Sequence, residues 1–431
     1  MKTFKELGLG ETFLKNLEEM KITEPTEIQE KTIPLTMEGK DVVGSSATGS
    51  GKTLAFGAVI IENIKDLKLN ALILTPTREL AEQVATSIEK FAKHFPIRVL
   101  PVYGGVSIEQ QIRRIPHANI IVGTPGRILD HMQRRTIDFS NLKFLVLDEV
   151  DRMFDMGFQR DVERIIYKCP KERQTMMFSA TVTPEIDYLI NKHTKNPVRV
   201  AVKSYVDASK LQQVYYDVDS REKFSLLIHL LKQEKSEVVM VFCNTRRNAD
   251  FVAKNLRLNE INAQVIHGGL TQNKRSNVLE EFHKGQTNIL VCTDVAARGL
   301  DIKGVSHVYN YDLPKTAQDY VHRIGRTARA GEEGKAVSLL SQTDYENFRA
   351  ILRNESLKIK ELPTPQIEEV RVELNRERRF GGGFRGNGRT RRFDRQRDNR
   401  SSRGRRDDSN ERGYSSRRSS SRGNSSSRRR W

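Results

Sequence analysis

The sequence predicts an α/β protein of two units, each a parallel β-sheet covered by helices on both faces. Short β-branched runs alternate with helical patterns between residues 40 and 200, and the alternation restarts after residue 211. From about residue 366 the chain changes again, and its last 56 residues contain arginine, glycine, serine, asparagine and aspartate, with almost no aliphatic side chains. The 431 residues are therefore expected to form two domains and a disordered tail.

The predicted strands follow in chain order. In the first unit they cover residues 41–45, 71–75, 98–103, 119–123, 143–147, 175–179 and 198–202. In the second unit they cover residues 213–218, 237–243, 263–267, 288–293, 307–311 and 336–340. Helical patterns such as 77–94 lie between them, and residues 203–209 break the pattern as a linker. Ligands of such sheets bind at the carboxyl ends of the strands, so the functional site is expected there.

A glycine-rich loop links the first predicted strand to a helical run, in the order Ser46-Ala47-Thr48-Gly49-Ser50-Gly51-Lys52-Thr53. Small residues let backbone N–H groups close around phosphates at a helix N-terminus, which favours anions. Lys52 would reach the β- and γ-phosphates, and the Thr53 hydroxyl would ligate Mg²⁺. The strict pattern has glycine where Ser46 stands, so a glycine-rich turn of another purpose is the alternative.

An acidic segment, Asp148-Glu149-Val150-Asp151, follows the apolar run at residues 144–147. An acid at the end of a buried strand usually completes the nucleotide site of a phosphate-loop NTPase. Asp148 would hold Mg²⁺, mostly through water, and Glu149 would polarise the attacking water. An exposed acidic turn is the alternative. The position about a hundred residues past a phosphate loop favours the metal site, with Thr53, Asp148 and Glu149 as its residues.

Most of the net positive charge lies in the tail. Residues 376–431 contain 20 Arg, no Lys and six acids, a net charge of +14, against +18 for the whole chain. Sparse aromatic residues (Phe380, Phe384, Phe393, Tyr414 and Trp431) lie among the arginines. Phosphate contacts combined with aromatic and guanidinium stacking suit sequence-tolerant RNA binding, with a merely solubilising tail as the alternative.

Cysteine usage and hydropathy argue against several protein classes. The three cysteines (Cys169, Cys243 and Cys292) form no Cys-x-x-Cys pair, which argues against structural zinc and a disulfide framework. No stretch approaches 18 apolar residues, so a membrane span is not expected. We predict a cytoplasmic protein with no membrane partner.

Further motifs follow one another in order along the chain. They are Pro25-Thr26-Glu27-Ile28-Gln29, Pro76-Thr77-Arg78-Glu79-Leu80-Ala81, Gly104-Gly105, Thr124-Pro125-Gly126-Arg127, Ser179-Ala180-Thr181, Val241-Phe242-Cys243-Asn244-Thr245, His267-Gly268, Thr293-Asp294-Val295-Ala296-Ala297-Arg298-Gly299-Leu300-Asp301 and His322-Arg323-Ile324-Gly325-Arg326-Thr327-Ala328-Arg329. With the loop and the acidic segment, they make the chain resemble the DEAD-box ATP-dependent RNA helicases from about Phe4 to Leu340. The resemblance implies two tandem RecA-like domains, ATP and Mg²⁺ as cofactors, and RNA as partner.

The resemblance assigns roles residue by residue. It implies that Gln29 recognises the adenine edge, that Phe4 stacks on the ring, and that Gly299 and Asp301 lie near the nucleotide. Catalytic roles fall on Lys52, Asp148, Glu149 and the arginine fingers Arg326 and Arg329. RNA contacts fall on Pro76, Thr77, Arg78, Gly104, Gly105, Thr124, Gly126, Arg127, Thr245, His267, Gly268, Thr293 and Arg298. Coupling of hydrolysis to strand separation falls on Asp151, Ser179, Thr181, His322 and Arg323, with Asp151 as the expected partner of the two hydroxyls.

The chain departs from the family pattern at a few positions. Val150 replaces the usual alanine of the namesake motif, and Ser46 replaces an alanine of the loop. Ala328 replaces a glycine of the finger motif, which is expected to rule out a conformation that only glycine tolerates. Lys21-Ile22 stands where the family has Gly-Phe. Activity is expected to survive because all three acids remain.

The expected boundaries are 1–202 for the first domain, 203–211 for the linker, 212–365 for the second domain and 366–431 for the tail. The expected activity is local unwinding or remodelling of RNA duplexes and RNA–protein complexes. The expected RNA partners are single strands and short duplexes, bound with little sequence preference. An ATP-gated RNA clamp or scaffold stays open as the alternative, because the same residues serve both activities. The Gln29 motif and the arginine-rich tail favour RNA over a DNA helicase or translocase. The intact Lys52, Asp148, Glu149, Arg326 and Arg329 argue against an RNA-binding protein with an inactive core. Ribosome-assembly and RNA-decay proteins are candidate partners, between which the sequence does not choose.

Overall fold

A computed structural model of the chain describes residues 2–45, 49–66, 68–202, 210–234, 237–297, 300, 302, 304–328, 333–355 and 357–373. The arginine-rich segment at residues 376–431 and the linker at 203–209 therefore lie outside the described residues. Among the described residues, no helix has both the length and the apolar character that crossing a bilayer requires.

The first domain is a seven-stranded parallel sheet with helices on both faces, as predicted. Its strands are β1 (Val42–Ser45), β2 (Ala71–Leu74), β3 (Val99–Val102), β4 (Ile120–Gly123), β5 (Phe144–Leu147), β6 (Gln174–Ser179) and β7 (Val198–Ala201). Its helices are α1 (Glu11–Glu19), α2 (Glu27–Met37), α3 (Lys52–Asn63), α4 (Arg78–Phe91), α5 (Ile108–Arg114), α6 (Pro125–Gln133), α7 (Val150–Asp155), α8 (Gln159–Ile166) and α9 (Pro184–His193), with a 3₁₀ turn at Ile115–His117. The strand order is β3-β4-β2-β5-β6-β1-β7.

The second domain repeats this arrangement. Its strands are β8 (Leu211–Asp217), β9 (Val238–Cys243), β10 (Ala263–Ile266), β11 (Ile289–Thr293), β12 (Val305–Asn310), β13 (Gly334–Leu340) and β14 (Lys360–Glu361). Its helices are α10 (Lys223–Gln233), α11 (Arg246–Leu258), α12 (Gln272–His283), α13 (Asp294–Ala297), α14 (Ala317–Ile324) and α15 (Tyr345–Leu352), with a 3₁₀ turn at Gln342–Asp344. The order β10-β11-β9-β12-β13-β8-β14 matches the first sheet strand for strand, which confirms the predicted fold class.

Burial explains why the central strands could be predicted from the hydrophobic pattern of the sequence. Every residue of β2 and β5 is buried, because helices cover both faces of a parallel sheet and leave no polar side. Edge strand β7 instead exposes Arg199 and Ala201. The predicted core cysteines Cys243 and Cys292 are fully buried. The two-residue strand β14 escaped prediction, because so short a segment has no periodicity.

The C-terminal segment of the described chain packs on the second domain beyond residue 365. Ile367 and Val370 lie against its hydrophobic core. The Glu373 N–H donates to Asn255 Oδ1 at 2.7 Å, and Asn255 Nδ2 donates back to the Glu373 carbonyl at 3.2 Å. The predicted start of the tail at residue 366 therefore moves beyond Glu373. The few apolar residues of this segment lie among charged ones without a regular period, which concealed this packing.

Candidate ATP and RNA site

The phosphate loop ends in the backbone conformation that its glycines allow. Gly49 and Gly51 have φ angles of 82° and 94°, and Gly51 caps helix α3, whose first residue is Lys52. A Cβ at Gly51 would lie 2.3 Å from Gln29 Nε2, so only glycine fits. Lys52 is buried, and Thr53 follows it in the first turn. Ser46, Ala47 and Thr48 lie outside the described residues.

Gln29 holds the loop from the neighbouring helix. Its Nε2 donates to the Gly51 carbonyl at 3.0 Å, and its Oε1 accepts from the Thr26 N–H at 2.9 Å. Thr26 Oγ1 donates to the Ser50 carbonyl at 2.8 Å. Sequence reasoning assigned Gln29 to adenine and did not anticipate this direct link to the loop. Any group that recognises adenine here is therefore mechanically connected to the phosphate cradle.

Phe4 and the segment before Gln29 belong to the first domain's core. Phe4 is buried there, and Ile22 packs against the same core in place of the family's phenylalanine. Lys21 has a φ of 57°, in the left-handed region that glycine adopts most easily. Lys21 therefore adopts a conformation that glycine would adopt at lower cost.

Asp148 and Glu149 emerge from the carboxyl end of β5, on the edge where α3 begins. The Asp148 N–H donates to the Leu74 carbonyl at 2.9 Å, and its Oδ1 accepts from the Glu149 N–H at 3.0 Å. Burial raises the pKa of Asp148 to about 6, although the charge of Lys52 opposes the shift. A buried carboxylate with one nearby ammonium suits a divalent cation, which would favour its ionised form.

Glu149 is held in a strained conformation. Its φ is 52°, and it caps helix α7. Left-handed conformations of non-glycine residues tend to collect at functional sites, where the surrounding structure imposes them. Val150 is fully buried, so the larger side chain at this departure is accommodated inside the core.

Asp151 connects the acidic segment to the end of β6. Its Oδ2 accepts from both the N–H and the hydroxyl of Thr181 at 3.2 Å, and its N–H donates to Ser179 Oγ at 3.3 Å. These are the bonds expected for the two hydroxyls. Thr181 Oγ1 also accepts from Gln318 Nε2 of the second domain at 3.0 Å. A continuous chain of hydrogen bonds thus leads from the acidic segment into the second domain.

Within the part of the chain that the structure describes, two ion pairs also join the domains, and sequence reasoning missed both. Arg275 Nη2 lies 2.9 Å from Glu79 Oε1, and both side chains are largely buried. Arg152 lies 3.7 Å from Asp319 and 3.0 Å from Asp155 of its own domain. No local pattern announces such pairs, because their partners are more than 160 residues apart.

Arg323 is the centre of a polar network at the carboxyl ends of the second domain's strands. It donates to both carboxylate oxygens of Asp294 at 2.6 Å, and its guanidinium lies 5.2 Å from the Phe242 ring. It also reaches Asn244 Oδ1 at 2.8 Å and the Asp312 carbonyl. Arg323 is almost fully buried, so it ties together the ends of β9, β11 and β12. His322 next to it is only partly buried.

The finger segment leaves the helix before it reaches the arginines. Helix α14 ends at Ile324, before Arg326. Arg326 is buried and donates to the Leu300 carbonyl at 3.0 Å. Arg329 lies outside the described residues. Ala328 has a φ of 54°, so the prediction that alanine rules out this backbone was wrong.

In the first domain, the predicted RNA contacts lie at helix starts and strand ends. Thr77 caps α4 and accepts from the Leu80 N–H at 3.3 Å, with Pro76 buried before it. Arg78 lies over the glycine pair, since a Cβ at Gly105 would come 2.1 Å from Arg78 Nη1 and one at Gly104 would come 3.4 Å from Nη2. Thr124 caps α6, in which Gly126 is exposed and Arg127 partly buried.

In the second domain, Thr245 caps α11 and accepts from the Asn248 N–H at 3.1 Å. His267 Nδ1 accepts from the Gly269 N–H at 3.1 Å, so Nε2 carries the proton toward Asp250 Oδ1 at 2.9 Å. Gly268 is exposed beside it, and Thr293 ends β11. Arg298, Gly299 and Asp301 lie outside the described residues.

Comparisons with known proteins agree with this geometry. Two family models match the chain: DEAD/DEAH box helicase over residues 26–189 and Helicase conserved C-terminal domain over residues 222–331. The DEAD-box ATP-dependent RNA helicase CshA of Geobacillus kaustophilus is 44% identical over 374 residues, which cover 86% of this chain and 80% of that protein. The ATP-dependent RNA helicase CshA of Listeria monocytogenes is also 44% identical, covering 86% and 72%.

Solved structures agree as well. Dbp5 of Saccharomyces cerevisiae bound to RNA and ADP BeF3 superposes with a TM-score of 0.77 at 31% identity, covering 84% of this chain and 96% of that one. A DEAD box protein from the hyperthermophile Methanococcus jannaschii is 40% identical with a TM-score of 0.52, covering 84% and 99%.

Proposed function

The chain belongs to the DEAD-box ATP-dependent RNA helicases, and on that basis we propose that closure of its two domains around ATP and RNA drives local strand separation. The hydrogen-bond chain from Asp151 through Thr181 to Gln318 is the observation that carries this proposal. It joins the acidic segment beside the ATP loop to the second domain. A change at the γ-phosphate therefore has a direct route to the relative position of the domains.

Lys52 holds the β- and γ-phosphates from the first turn of α3, where the helix N-terminus also favours anions. Thr53, Asp148 and Glu149 are the residues that would hold Mg²⁺, with the acids acting mostly through water. When bound, Mg²⁺ supplies charge neutralisation to the transferring phosphoryl group. Glu149 orients the attacking water from its strained position at the start of α7.

The remaining nucleotide roles follow the family. Gln29 recognises adenine while it holds Gly51, and Phe4 borders the ring. Arg326 and Arg329 approach the γ-phosphate from the second domain, and Gly299 and Asp301 lie near the nucleotide. An arginine finger is typically worth roughly 10³- to 10⁵-fold in the hydrolysis rate.

RNA binds across both domains through its phosphates, with little sequence preference. The residues that contact it are those predicted from the sequence in the first domain, with Thr245, His267, Gly268, Thr293 and Arg298 in the second. Single strands and short duplexes are the substrates, and RNA–protein complexes are remodelled by the same closure. Ribosome-assembly or RNA-decay proteins as partners and a cytoplasmic location remain predictions.

The domain boundaries that we propose are 1–202 and 211 to at least 373, because Leu211 begins β8, so the predicted linker end at 211 moves to residue 210. The tail that follows holds RNA near the core and so raises its effective concentration. Deletion of residues 376–431 is expected to weaken RNA binding and flatten its salt dependence, while basal ATP hydrolysis is unchanged. An unchanged salt slope would show that the tail does not hold RNA.

The activity test measures ATP hydrolysis without nucleic acid, with single-stranded RNA and with matched DNA, for the wild type and Glu149→Gln. Stimulation by RNA alone, lost in the variant, is the expected result. Equal stimulation by DNA would indicate a translocase of DNA, and no hydrolysis under any condition would indicate an inactive core.

A strand-displacement assay on a short RNA duplex then separates unwinding from clamping. A clamp would hydrolyse ATP and hold RNA without displacing the strand. Reciprocal coupling gives a second test, since RNA must tighten ATP binding by the same factor by which ATP tightens RNA binding. If RNA leaves the affinity for ATP unchanged, the closure mechanism fails.

A further inference from the structure

Gln111 lies beneath the predicted RNA contacts of the first domain, although none of the family motifs quoted above includes it. It belongs to helix α5, and only 5% of its surface is exposed. Its carboxamide reaches three other parts of the domain. These are the end of β3, the start of α6 and the middle of α6.

Each atom of the amide has a defined partner. Oε1 accepts from Arg127 Nη1 at 2.9 Å and lies 3.1 Å from His131 Nε2. Nε2 donates to the carbonyl of Tyr103 at 3.1 Å. The carbonyl partner fixes the orientation of the amide, because exchange of O and N would place two oxygens against each other.

The Gln111 carboxamide is a neutral hydrogen-bond acceptor for the charged guanidinium of Arg127. Arg78 and Arg127 both point toward Gly104, where a Cβ would lie 3.4 Å from Arg78 Nη2 and 3.9 Å from Arg127 Nη2. Two guanidinium groups held this close form a site for a phosphate. A carboxylate at position 111 would hold Arg127 equally well but would cancel part of the charge that attracts the phosphate.

The support beneath Gln111 is also uncharged. His131 is completely buried, and its Nδ1 lies 2.8 Å from Thr136 Oγ1. Burial lowers the pKa of His131, with the charge of Arg127 acting in the same direction, so the ring is neutral at neutral pH. A neutral ring leaves its Nε2 proton for Gln111 and adds no second charge beside the arginine.

We infer that Gln111 is a positioning residue for RNA binding, which orients the guanidinium of Arg127 toward an RNA phosphate without neutralising it. This inference rests on the proposed function, since it requires that Arg127 contact RNA. Among the described residues, the contacts that Arg127 would keep without Gln111 are the Val106 carbonyl at 3.3 Å and the distant Asp130 at 3.9 Å. The side chain would then populate several rotamers, and each RNA-binding event would have to order it.

The test compares Gln111→Met with Gln110→Met in the full chain. Methionine keeps the volume of the buried side chain and removes all three hydrogen bonds of the carboxamide, those with Arg127, His131 and the Tyr103 carbonyl. Gln110 is the neighbouring exposed residue of the same helix and serves as the matched control. We expect Gln111→Met to weaken binding of a single-stranded RNA about 2- to 10-fold, the loss that corresponds to ordering one long side chain. The maximal RNA-stimulated rate and the KM for ATP should stay unchanged.

A double-mutant cycle with Arg127→Ala distinguishes positioning from general destabilisation. If Gln111 acts through Arg127, Gln111→Met causes no further loss of RNA affinity in the Arg127→Ala background. An additive loss, or no loss in the single Gln111→Met variant, would overturn the inference. If Arg127→Ala itself binds RNA like the wild type, the proposed RNA role of Arg127 fails and the inference fails with it. Thermal unfolding of each variant shows whether the fold is intact.

Discussion

The ammonium of Lys223 lies 2.7 Å from the carboxylate of Asp344, in a buried ion pair of the second domain. The Ser341 hydroxyl donates to the same oxygen at 2.7 Å, and the ring of Tyr311 lies 5.4 Å from the ammonium. Lys223 is the first residue of the helix after β8. Lys52 has the same place after β1, the matching strand of the first sheet.

This correspondence gives a physical reason why the two equivalent lysines have different roles in the two domains. In the first domain the lysine faces the carboxylate of Asp148, directly after β5. In the second domain the residue directly after the matching strand β12 is Tyr311. Asp344 supplies there, from within the chain, the negative charge that a phosphate would bring. Lys223 therefore stabilises the fold of the second domain through its ion pair with Asp344.

Removing one partner of this pair should be costly. Asp344→Ala leaves a buried ammonium uncompensated, so we expect a loss of about 3–5 kcal/mol in the stability of the second domain. The double variant Lys223→Met with Asp344→Leu carries no buried charge and should recover most of that loss. Urea denaturation followed by circular dichroism measures both. Equal destabilisation by the single and double variants would contradict the buried-charge explanation.

The contact between Arg152 and Asp319 should contribute to coupling between the ligands. Asp319→Asn weakens an ion pair between the domains, so RNA should tighten ATP binding about 2- to 5-fold less than in the wild type. Asp155→Asn is the control, because Asp155 pairs with Arg152 inside the first domain. Titration of a fluorescent ATP analogue with and without RNA measures the coupling. A larger effect of Asp155→Asn would show that the contact between domains is unimportant.

Glu234 should make stability depend on pH. Burial alone would raise its pKa, but hydrogen bonds from His307, Lys335 and Tyr309 outweigh burial and hold the pKa at about 2. Because the folded pKa lies below the unfolded one, the stabilisation is complete above about pH 5 and is lost as the pH falls toward 2.

Glu234→Gln should therefore cost up to about 3 kcal/mol at pH 7 and progressively less at lower pH. The exposed Glu237→Gln is the matched control. Thermal unfolding of both variants and the wild type between pH 7 and pH 3 measures the difference. A Glu234→Gln penalty that is independent of pH would exclude this ionisation as its source.

Ala328 should tolerate glycine but not valine. Glycine removes a left-handed strain of about 1–2 kcal/mol, yet it also loses a buried methyl worth about 0.8 kcal/mol and adds unfolded-chain entropy. Because these effects oppose each other, the free energy of unfolding of Ala328→Gly should stay within about 1 kcal/mol of the wild-type value. Valine has a branched Cβ in a conformation that disfavours it and no room at a 2% exposed site. Differential scanning calorimetry measures both, and a stable Ala328→Val would show that this segment relaxes.

The positions of the residues in the proposed nucleotide site were predictable because their determinants are local. A glycine loop before a helix places Lys52, and an apolar run before two acids places Asp148 and Glu149. Parallel strands then bring both segments to one edge of the sheet. The order of motifs was sufficient to recognise the family. The strap at 366–373 was missed because its few apolar residues form no regular period.

The sequence by itself determined the two parallel sheets and placed the glycine loop and the acidic segment at one edge of the first sheet, since these follow from backbone geometry and hydrophobic period. Only the tertiary structure decided what each long polar side chain contacts. Gln111 beneath Arg127, Asp344 against Lys223 and Gln318 on Thr181 are joined across 16, 121 and 137 residues. A hydrogen bond of this kind depends on a distance in space to within a few tenths of an ångström. That distance exists only after the helices have packed on the sheets, so no pattern in the chain encodes it locally.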